Sequence, residues 1–429
     1  MTDQPKFTAK EIHFLKSDPQ SDTEHLSEPD TYLSDLLFMN ESVLAAFEGR
    51  LKDIDIGDHP CVCAVFRIDP AACKESAPPH DNAPEDQCIE SDDDRIDDIR
   101  SVFETLFNSL LDHERGIWEH IRDDLFAFAF FDFKAKKQAI EWITLLKEKI
   151  EIRLNTRITG GLCFHPFQEY SLADTFHNAV KALDHAAFYE PGRVMLFDAV
   201  SLNICGDRCY QCGRNQDAIS EYQAGIRLDQ TDINLLNSLG VCYGIENDLE
   251  QAKKQFKKAL TVNPKDPMVL YNMGLIYSTA QSDKRAAAYL RKAHAIDPQV
   301  FEVEFLLGQI LQKDEKPDLA LPHLENACRL NPEASIPFKL CGDIYLEKEQ
   351  LEKAYQFYTK AIKLNPEDAD SLSGAAHILE RQNKNISIAL TFARKSVDLC
   401  PDSELYRERL SLIQSRQASK DDRKRLKAS

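Results

Sequence analysis

The sequence lacks a surplus of basic residues, a long apolar run and an apolar N-terminal segment. Its 429 residues include 52 Lys and Arg against 71 Asp and Glu, a net charge of −19. Because phosphate backbones need a basic surface, this charge argues against nucleic acid as the main partner. The longest clean apolar run, Leu125–Phe131, falls far short of the roughly 20 residues of a membrane span. Met1–Asp30 is polar, so we expect no secretion signal and no membrane span.

The twelve cysteines are scattered over apolar positions and show no disulfide framework. We therefore expect reduced core cysteines and a cytoplasmic protein. The spacing of Cys205, Cys209 and Cys212 would let two or three of these thiols bind one metal ion. No histidine or fourth ligand is spaced to complete a structural site, so we expect core cysteines here. The twelve histidines form no nucleophile motif with a Ser or Cys. We expect no catalytic residue, no metal and no cofactor.

A 34-residue period runs through the second half of the chain. Small residues mark it three times in each unit, and a proline closes the units after the first. Its first marker is a glycine, at Gly206, Gly240, Gly274, Gly308 and Gly342. A glycine inside a helix costs about 1 kcal/mol relative to alanine, so a regular series needs a reason. Close approach of two paired helices supplies that reason, and the prolines end the second helix of each pair.

This pattern resembles the tetratricopeptide repeat, a helix–turn–helix unit with the same period. The resemblance covers residues 199–403 and gives six units: 199–232, 233–266, 267–300, 301–334, 335–368 and 369–403. It implies an all-α solenoid. Residues 404–429 are predicted to be a capping helix, patterned over Leu405–Ser415, followed by a frayed basic tail.

The first part of the chain has no such period. Residues 1–30 are predicted to be disordered, and 31–198 to form one α+β domain with an acidic solvated loop at 76–98. From Cys61 the pattern predicts the order β-α-β-β-α-β-α-β, which contains the ferredoxin-like β-α-β-β-α-β unit. We expect an antiparallel sheet with its helices on one face.

This element order and three segments make the domain similar to the GGDEF domain of diguanylate cyclases. The segments are Cys61–Asp69, Ile121–Phe128 and Ile158–Phe164 with Asn178–Asp198. The resemblance implies a nucleotidyl-cyclase-type fold whose chemistry joins two GTP molecules through two divalent metals. Metals need oxygen ligands, and phosphates need closely approaching backbone N–H groups.

The departures from this family concern its metal and phosphate positions. Arg67 stands where the family has its first metal-binding aspartate, two residues before Asp69. The two signature glycines are replaced by Arg122 and Asp123. Their side chains should block the backbone approach of a phosphate.

The remaining signature positions are also altered. Asp124 keeps the acidic third position, Leu125 replaces the usual acid at the fourth, and only Phe126 is unchanged. We therefore predict a degenerate GGDEF-like domain, with the fold of a cyclase and without its chemistry.

The repeats predict a partner groove. In the tetratricopeptide family the first helix of each unit lines the concave face. The corresponding residues of the central units form an apolar strip with amides beside it: Asn234, Asn237, Val241, Met268, Tyr271, Leu275, Phe305 and Gln309. Such strips are typical of surfaces that bind a peptide or a helix, although Leu275 and Phe305 could instead pack between units.

Three functions follow from these patterns. The first is a non-catalytic bacterial signalling or assembly adaptor that binds a protein partner through the repeats. The second is a receptor for a guanine nucleotide, GTP or cyclic di-GMP, held by Arg67, Arg122 or Arg193. The third is a divergent, active diguanylate cyclase that uses Asp69 and Asp124 for metals.

Overall fold

A computed structural model describes residues 42–53, 60–69, 92–110, 116–122, 124–131 and 133–428. The described chain divides into two compact units, with the boundary between Glu246 and Asn247. The predicted disordered segment 1–30 and most of the acidic loop lie outside the described residues. Among the described helices, none is both long and apolar enough to cross a membrane.

The first unit is built around a five-stranded sheet. Its strands are β1 (Cys61–Asp69), β2 (Gly116–Arg122), β3 (Leu125–Phe131), β4 (Arg157–His165) and β5 (Val194–Leu196). Their order is β2-β3-β1-β4-β5, with β5 parallel to β4 and the other pairs antiparallel. The sheet is therefore mixed, not purely antiparallel as predicted. A helix connects β4 to β5 and returns the chain to the same end of the sheet, which makes this pair parallel.

Helices cover both faces of the sheet, so the prediction of helices on one face is wrong. The first unit contains α1 (Ser42–Asp53), α2 (Asp92–Leu110), α3 (Lys136–Leu154), α4 (Leu172–Ala186), α5 (Ala199–Gln211), α6 (Asn215–Leu228) and α7 (Ile233–Ile245). Cys61, Cys63 and Val65 of β1 pack with α1 and α4 on one face. Val62 and Phe66 pack with α2 and α3 on the other. Because β1 is apolar at both alternating sets of positions, each face needs a cover.

Helix α2 begins at Asp92, inside the segment 76–98 that was predicted to be a loop. The sequence places three aspartates, Asp92 to Asp94, in its first turn. Negative charge favours the N-terminus of a helix, because the peptide dipoles place a partial positive charge there. The acidic composition alone therefore did not distinguish a loop from a helix start.

The second unit is entirely helical. It contains α8 (Leu249–Val262), α9 (Pro267–Thr279), α10 (Asp283–Ile296), α11 (Phe301–Lys313), α12 (Pro317–Leu330), α13 (Ser335–Glu347), α14 (Leu351–Leu364), α15 (Ala369–Arg381), α16 (Ile386–Leu399) and α17 (Glu404–Ala428). Its helices pack in successive pairs: α9 with α10, α11 with α12, α13 with α14 and α15 with α16. In the first unit α5 pairs with α6 in the same way. Helices α5, α7, α9, α11, α13 and α15 begin at equal intervals along the chain, with the period read from the sequence.

The regular glycines lie where paired helices approach closely. A Cβ atom at Gly274 would lie 2.8 Å from Leu290, and one at Gly308 would lie 2.7 Å from Leu324. At Gly342 it would lie 2.7 Å from the ring of Tyr358. At these distances an added Cβ atom would force the neighbouring side chain to move. These short distances confirm that small residues are needed for helix packing.

The turn between the two helices of each repeat contains a residue with positive φ. Gly213 fills this position in the first repeat, with φ +74°. The later repeats use larger residues with φ between +51° and +61°: Asn247, Gln281, Glu315, Glu349 and Asn383. The same left-handed geometry thus recurs once in each repeat with different side chains.

The last helix, α17, packs against α15 and α16. Ile413 is fully buried, and Arg416 donates a hydrogen bond to the carbonyl of Glu380 at 2.8 Å. The helix continues to Ala428, so the basic segment predicted as a frayed tail is helical. Its apolar face covers the end of the helical array, which is the role of a cap.

Candidate functional site

The predicted groove residues lie on the first helices of three repeats and differ in exposure. Asn234, Asn237 and Val241 belong to α7 in the first unit. Asn234 is exposed, whereas Asn237 and Val241 are buried. This part of the groove offers one accessible amide.

The other five predicted residues lie in the second unit, on α9 and α11, which contact each other. Tyr271 is only 4% exposed, and Leu275 is also buried. Burial raises the pKa of the Tyr271 hydroxyl. Met268, Phe305 and Gln309 are partly exposed and form the accessible part of this surface.

Phe305 is held in place by a second aromatic residue. Its ring stacks on that of Phe301, one helical turn earlier, with centroids 5.6 Å apart and planes 8° apart. Both residues are partly exposed. Aromatic side chains fixed by packing lose little entropy on binding, so this pair suits contact with an apolar side chain of a partner.

The positions that correspond to the cyclase signature lie at one end of the strands, where β1 ends and the chain turns from β2 to β3. Asp69 is 4% exposed. Thr159 Oγ1 donates to Asp69 Oδ2 at 2.7 Å, and Arg67 Nη2 donates to Oδ1 at 3.4 Å. Burial raises the pKa of Asp69, and these two donors offset only part of that rise. The carboxylate is therefore bound by a hydroxyl and a guanidinium.

The signature segment lies in a hairpin, with β2 paired to β3. Leu125 pairs with Arg67 on one side and Arg122 on the other, and it is fully buried. Phe126 is also buried, and its ring stacks on that of Phe103 with centroids 3.8 Å apart. These two positions serve the core of the sheet unit.

The other signature positions are distributed around this hairpin. The carbonyl of Asp124 accepts a hydrogen bond from the backbone N–H of Ile68 at 2.9 Å, and Asp123 lies outside the described residues. The guanidinium of Arg193 lies over the ring of Tyr189, 5.0 Å from the centroid. Arg122 and Asp124 are partly exposed, and Arg193 is exposed.

The cysteines considered as partial metal ligands have different surroundings. Cys205 and Cys209 are buried on α5 among apolar side chains, and Cys212 is exposed just after that helix. All the cysteines that the structure describes are free thiols. The packing of Cys205 and Cys209 confirms the expectation of core cysteines.

Sequence reasoning missed a cluster of two histidines and a glutamate in the second unit. Glu304 of α11 is 1% exposed, and its Oε2 lies 2.8 Å from Nδ1 of His323 on α12. Its Oε1 contacts Nδ1 of His294 on α10. The two imidazole rings are nearly perpendicular, with centroids 4.9 Å apart. The intervals between these residues match no recognised ligand motif, so only the packing of three helices shows this cluster.

A buried ion pair was also missed. Arg208 of α5 donates two hydrogen bonds, from Nε and Nη2, to the carboxylate of Asp184 on α4. Both residues are buried. Burial raises the pKa of Asp184, and the guanidinium counteracts that effect. The pair joins the last large helix of the sheet region to the first repeat helix, within the first unit.

Family models of the TPR repeat match residues 206–244 and 342–383, and models of the tetratricopeptide repeat match 233–266 and 269–300. The chain therefore contains tetratricopeptide repeats, as the 34-residue period predicts. All matched segments lie between residues 206 and 383.

Several solved structures resemble part of the chain. YrrB, a TPR protein with an unusual peptide-binding site, is 24% identical, with a TM-score of 0.40 over 44% of this chain and 96% of that chain. PilF of Pseudomonas aeruginosa is 20% identical, with a TM-score of 0.45 over 49% and 95%. PilW, a type IV pilus biogenesis factor, is 17% identical, with a TM-score of 0.41 over 49% and 97%. A search of the curated proteins gives no match.

Proposed function

We propose that the chain is a non-catalytic adaptor of the bacterial cytoplasm that binds a protein partner through the first helices of its repeats. The tetratricopeptide repeats carry this proposal, because arrays of this kind suggest a protein-interaction or scaffold role. In the second unit α9 contacts α11 and α13 contacts α15, so the first helices of neighbouring repeats lie side by side, an arrangement that suits an extended peptide or a helix.

The partner surface is centred on α11. The stacked, partly exposed rings of Phe301 and Phe305 offer an apolar anchor, with the amide of Gln309 one turn further along the helix. Met268 of α9 adds a flexible apolar side chain. Tyr271 and Leu275 are buried beneath this surface. They are poor choices for a binding test, because their substitution would disturb the packing of the helices.

The test compares partner recovery by tagged wild type and by the double variant Phe305→Ala with Gln309→Ala in the native host. Central aromatic anchors typically contribute about 2 kcal/mol or more, so recovery of the partner should fall by about tenfold or more. Leu319→Ala is the matched control, because Leu319 is an exposed apolar residue (55%) on the second helix of the same repeat. Circular dichroism checks that both variants keep their helices. Equal recovery by the double variant and the control would contradict the proposed surface.

We also propose that the N-terminal sheet domain is a ferredoxin-like, cyclase-type domain without cyclase chemistry. The order β-α-β-β-α-β from β1 to β4 and the neighbourhood β2-β3-β1-β4 support this fold assignment. The loss of chemistry is supported by Asp69, whose carboxylate is engaged by Thr159 and Arg67, and by the burial of Leu125. A metal would have to displace a cation from Asp69.

This proposal predicts no turnover of GTP by the purified full chain with Mg²⁺ or Mn²⁺. Cyclic di-GMP is measured by chromatography, with an active diguanylate cyclase as the positive control. Asp124→Ala identifies the source of any product, because Asp124 is the partly exposed acid of the signature. Synthesis by wild type that disappears in Asp124→Ala would establish an active cyclase and refute the proposal.

A further inference from the structure

The cluster of His294, Glu304 and His323 joins three successive helices of the second unit. Each residue offers one ligand atom, and these atoms lie within 4.8 Å of one another. We propose that the cluster binds one divalent transition-metal ion of the zinc class. Two imidazole nitrogens and one carboxylate oxygen are a donor set that suits Zn²⁺, Co²⁺ and Ni²⁺.

The geometry needs little change to accept such an ion. Both Nδ1 atoms already point at the Glu304 carboxylate, and the distance from His323 Nδ1 to Oε2 is 2.8 Å. A metal bound at about 2.0–2.1 Å from nitrogen and oxygen requires ligand atoms somewhat more than about 3 Å apart. Each imidazole would carry its proton on Nε2, which leaves the Nδ1 lone pair for the metal.

The burial of Glu304 favours a cation at this point. A carboxylate that is 1% exposed must be compensated by charge or hydrogen bonds. The described donors to this carboxylate are His294, His323 and Asn326. A divalent cation would neutralise the carboxylate directly, while both histidines remained neutral ligands.

The histidines also provide a path from solvent. The side chain of His294 is 37% exposed and that of His323 is 20% exposed, so an ion can reach the carboxylate from their side. Three protein ligands leave one tetrahedral position for water. The bound ion would tie α10 of the third repeat to α11 and α12 of the fourth, and would stiffen this junction.

The test uses Co²⁺ alone as the probe, on the metal-free full chain. Free thiols are a competing kind of site, since Cys212 and Cys400 are exposed. Ligation by sulfur gives Co²⁺ an intense near-ultraviolet charge-transfer band, whereas a histidine and carboxylate site gives only weak visible bands. The titration is therefore run after the thiols are alkylated and followed in the visible range.

We expect one saturable Co²⁺ site in wild type and a rise in melting temperature on saturation. His294→Ala and His323→Ala should each weaken binding at least tenfold and abolish the melting shift. His177→Ala is the matched control, because His177 is a half-exposed histidine beside a single carboxylate, Glu48. Glu304→Gln should also lose the site, but it alters a buried residue, so the two histidine variants decide.

Two results would overturn the proposal. One is the absence of saturable Co²⁺ binding by the alkylated wild type up to millimolar metal. The other is binding that His294→Ala and His323→Ala leave as strong as in His177→Ala.

Discussion

Gly342→Ala should destabilise the second unit, although alanine is the better helix former. The added methyl group would lie 2.7–2.8 Å from two ring atoms of Tyr358. The opposite edge of that ring packs closely against Gly374, where an added Cβ would lie 2.6 Å from it, so the ring has little room to move away from Gly342. Its hydroxyl also donates to Asp343 at 2.7 Å. Tyr358 is therefore held between two glycines and a carboxylate.

The size of the effect follows from two opposed contributions. Replacing a helical glycine by alanine gains about 1 kcal/mol from backbone propensity. Overpacking a close-packed core costs about 1–3 kcal/mol, and the clamped ring of Tyr358 places this case at the upper end. The net loss should be about 2 kcal/mol, or about 4–8 °C in melting temperature for a unit of this size.

Gly49→Ala is the matched control for Gly342→Ala. Gly49 lies inside α1, and a Cβ atom there would meet no atom within 4 Å. Only the gain in propensity applies, so this variant should be stabilised by about 0.5–1 kcal/mol. Thermal unfolding followed by circular dichroism gives the melting temperatures, and hydrogen exchange of α13 and α14 locates the loss. If Gly342→Ala melts at or above the wild-type temperature, the packing explanation of the glycine period is wrong.

Two further predictions concern buried and half-buried charges. Arg208→Met should cost about 3–5 kcal/mol, because it leaves the carboxylate of Asp184 buried without its partner. Denaturation by urea should show that Asp184→Asn in the same chain restores part of this loss. Burial raises the pKa of Asp370, but the donors Tyr406 and Lys339 outweigh it, so the folded-state pKa is lowered. The resulting stability is present above the unfolded pKa of about 3.9 and is lost as pH falls through the folded value. Asp370→Asn should therefore melt below wild type at pH 7, and a melting series should show the difference shrinking below about pH 4; a constant difference would contradict this assignment.

The repeats could be predicted from the sequence because their structure is periodic and local. Each first helix begins one period after the previous one, and the small residues that allow close packing recur at that interval. Such patterns report contacts between helices that are neighbours along the chain. The positive-φ turns escaped prediction, because three of the six are occupied by glutamine or glutamate, which are not typical of this backbone conformation.

Strand positions in the sheet domain were also predictable. The predicted order has two consecutive strands after the first helix, and the structure has β2 (Gly116–Arg122) and β3 (Leu125–Phe131) at that place. The second covered face was not predicted, although Leu125–Phe131 is apolar at every position. A strand without polar alternation is buried on both sides, so this run indicates a sheet that is covered on each face.

The candidate sites were predicted less well than the fold. Burial depends on neighbours that a single helix pattern does not contain, and so Tyr271 and Leu275 could not be separated from the more accessible Phe305. The cluster around Glu304 is formed by three helices, and its residues have no common spacing. A site whose residues come from several helices can be recognised only once the packing of those helices is known.

The left-handed turns make the array a natural target for engineering. A residue with a Cβ atom in this conformation costs roughly 1–2 kcal/mol, whereas glycine tolerates it and loses about 0.5–1 kcal/mol through the flexibility of the unfolded chain. Gly213 shows that glycine is compatible with the turn, and Glu315 occupies the equivalent position of the fourth repeat. Glycine at Gln281 or Glu349 would also remove a side-chain contact to Lys313 or Arg381 of the following repeat, so Glu315 is the better first choice. Glycine substitutions in these short connections between helices should therefore raise the stability of the protein.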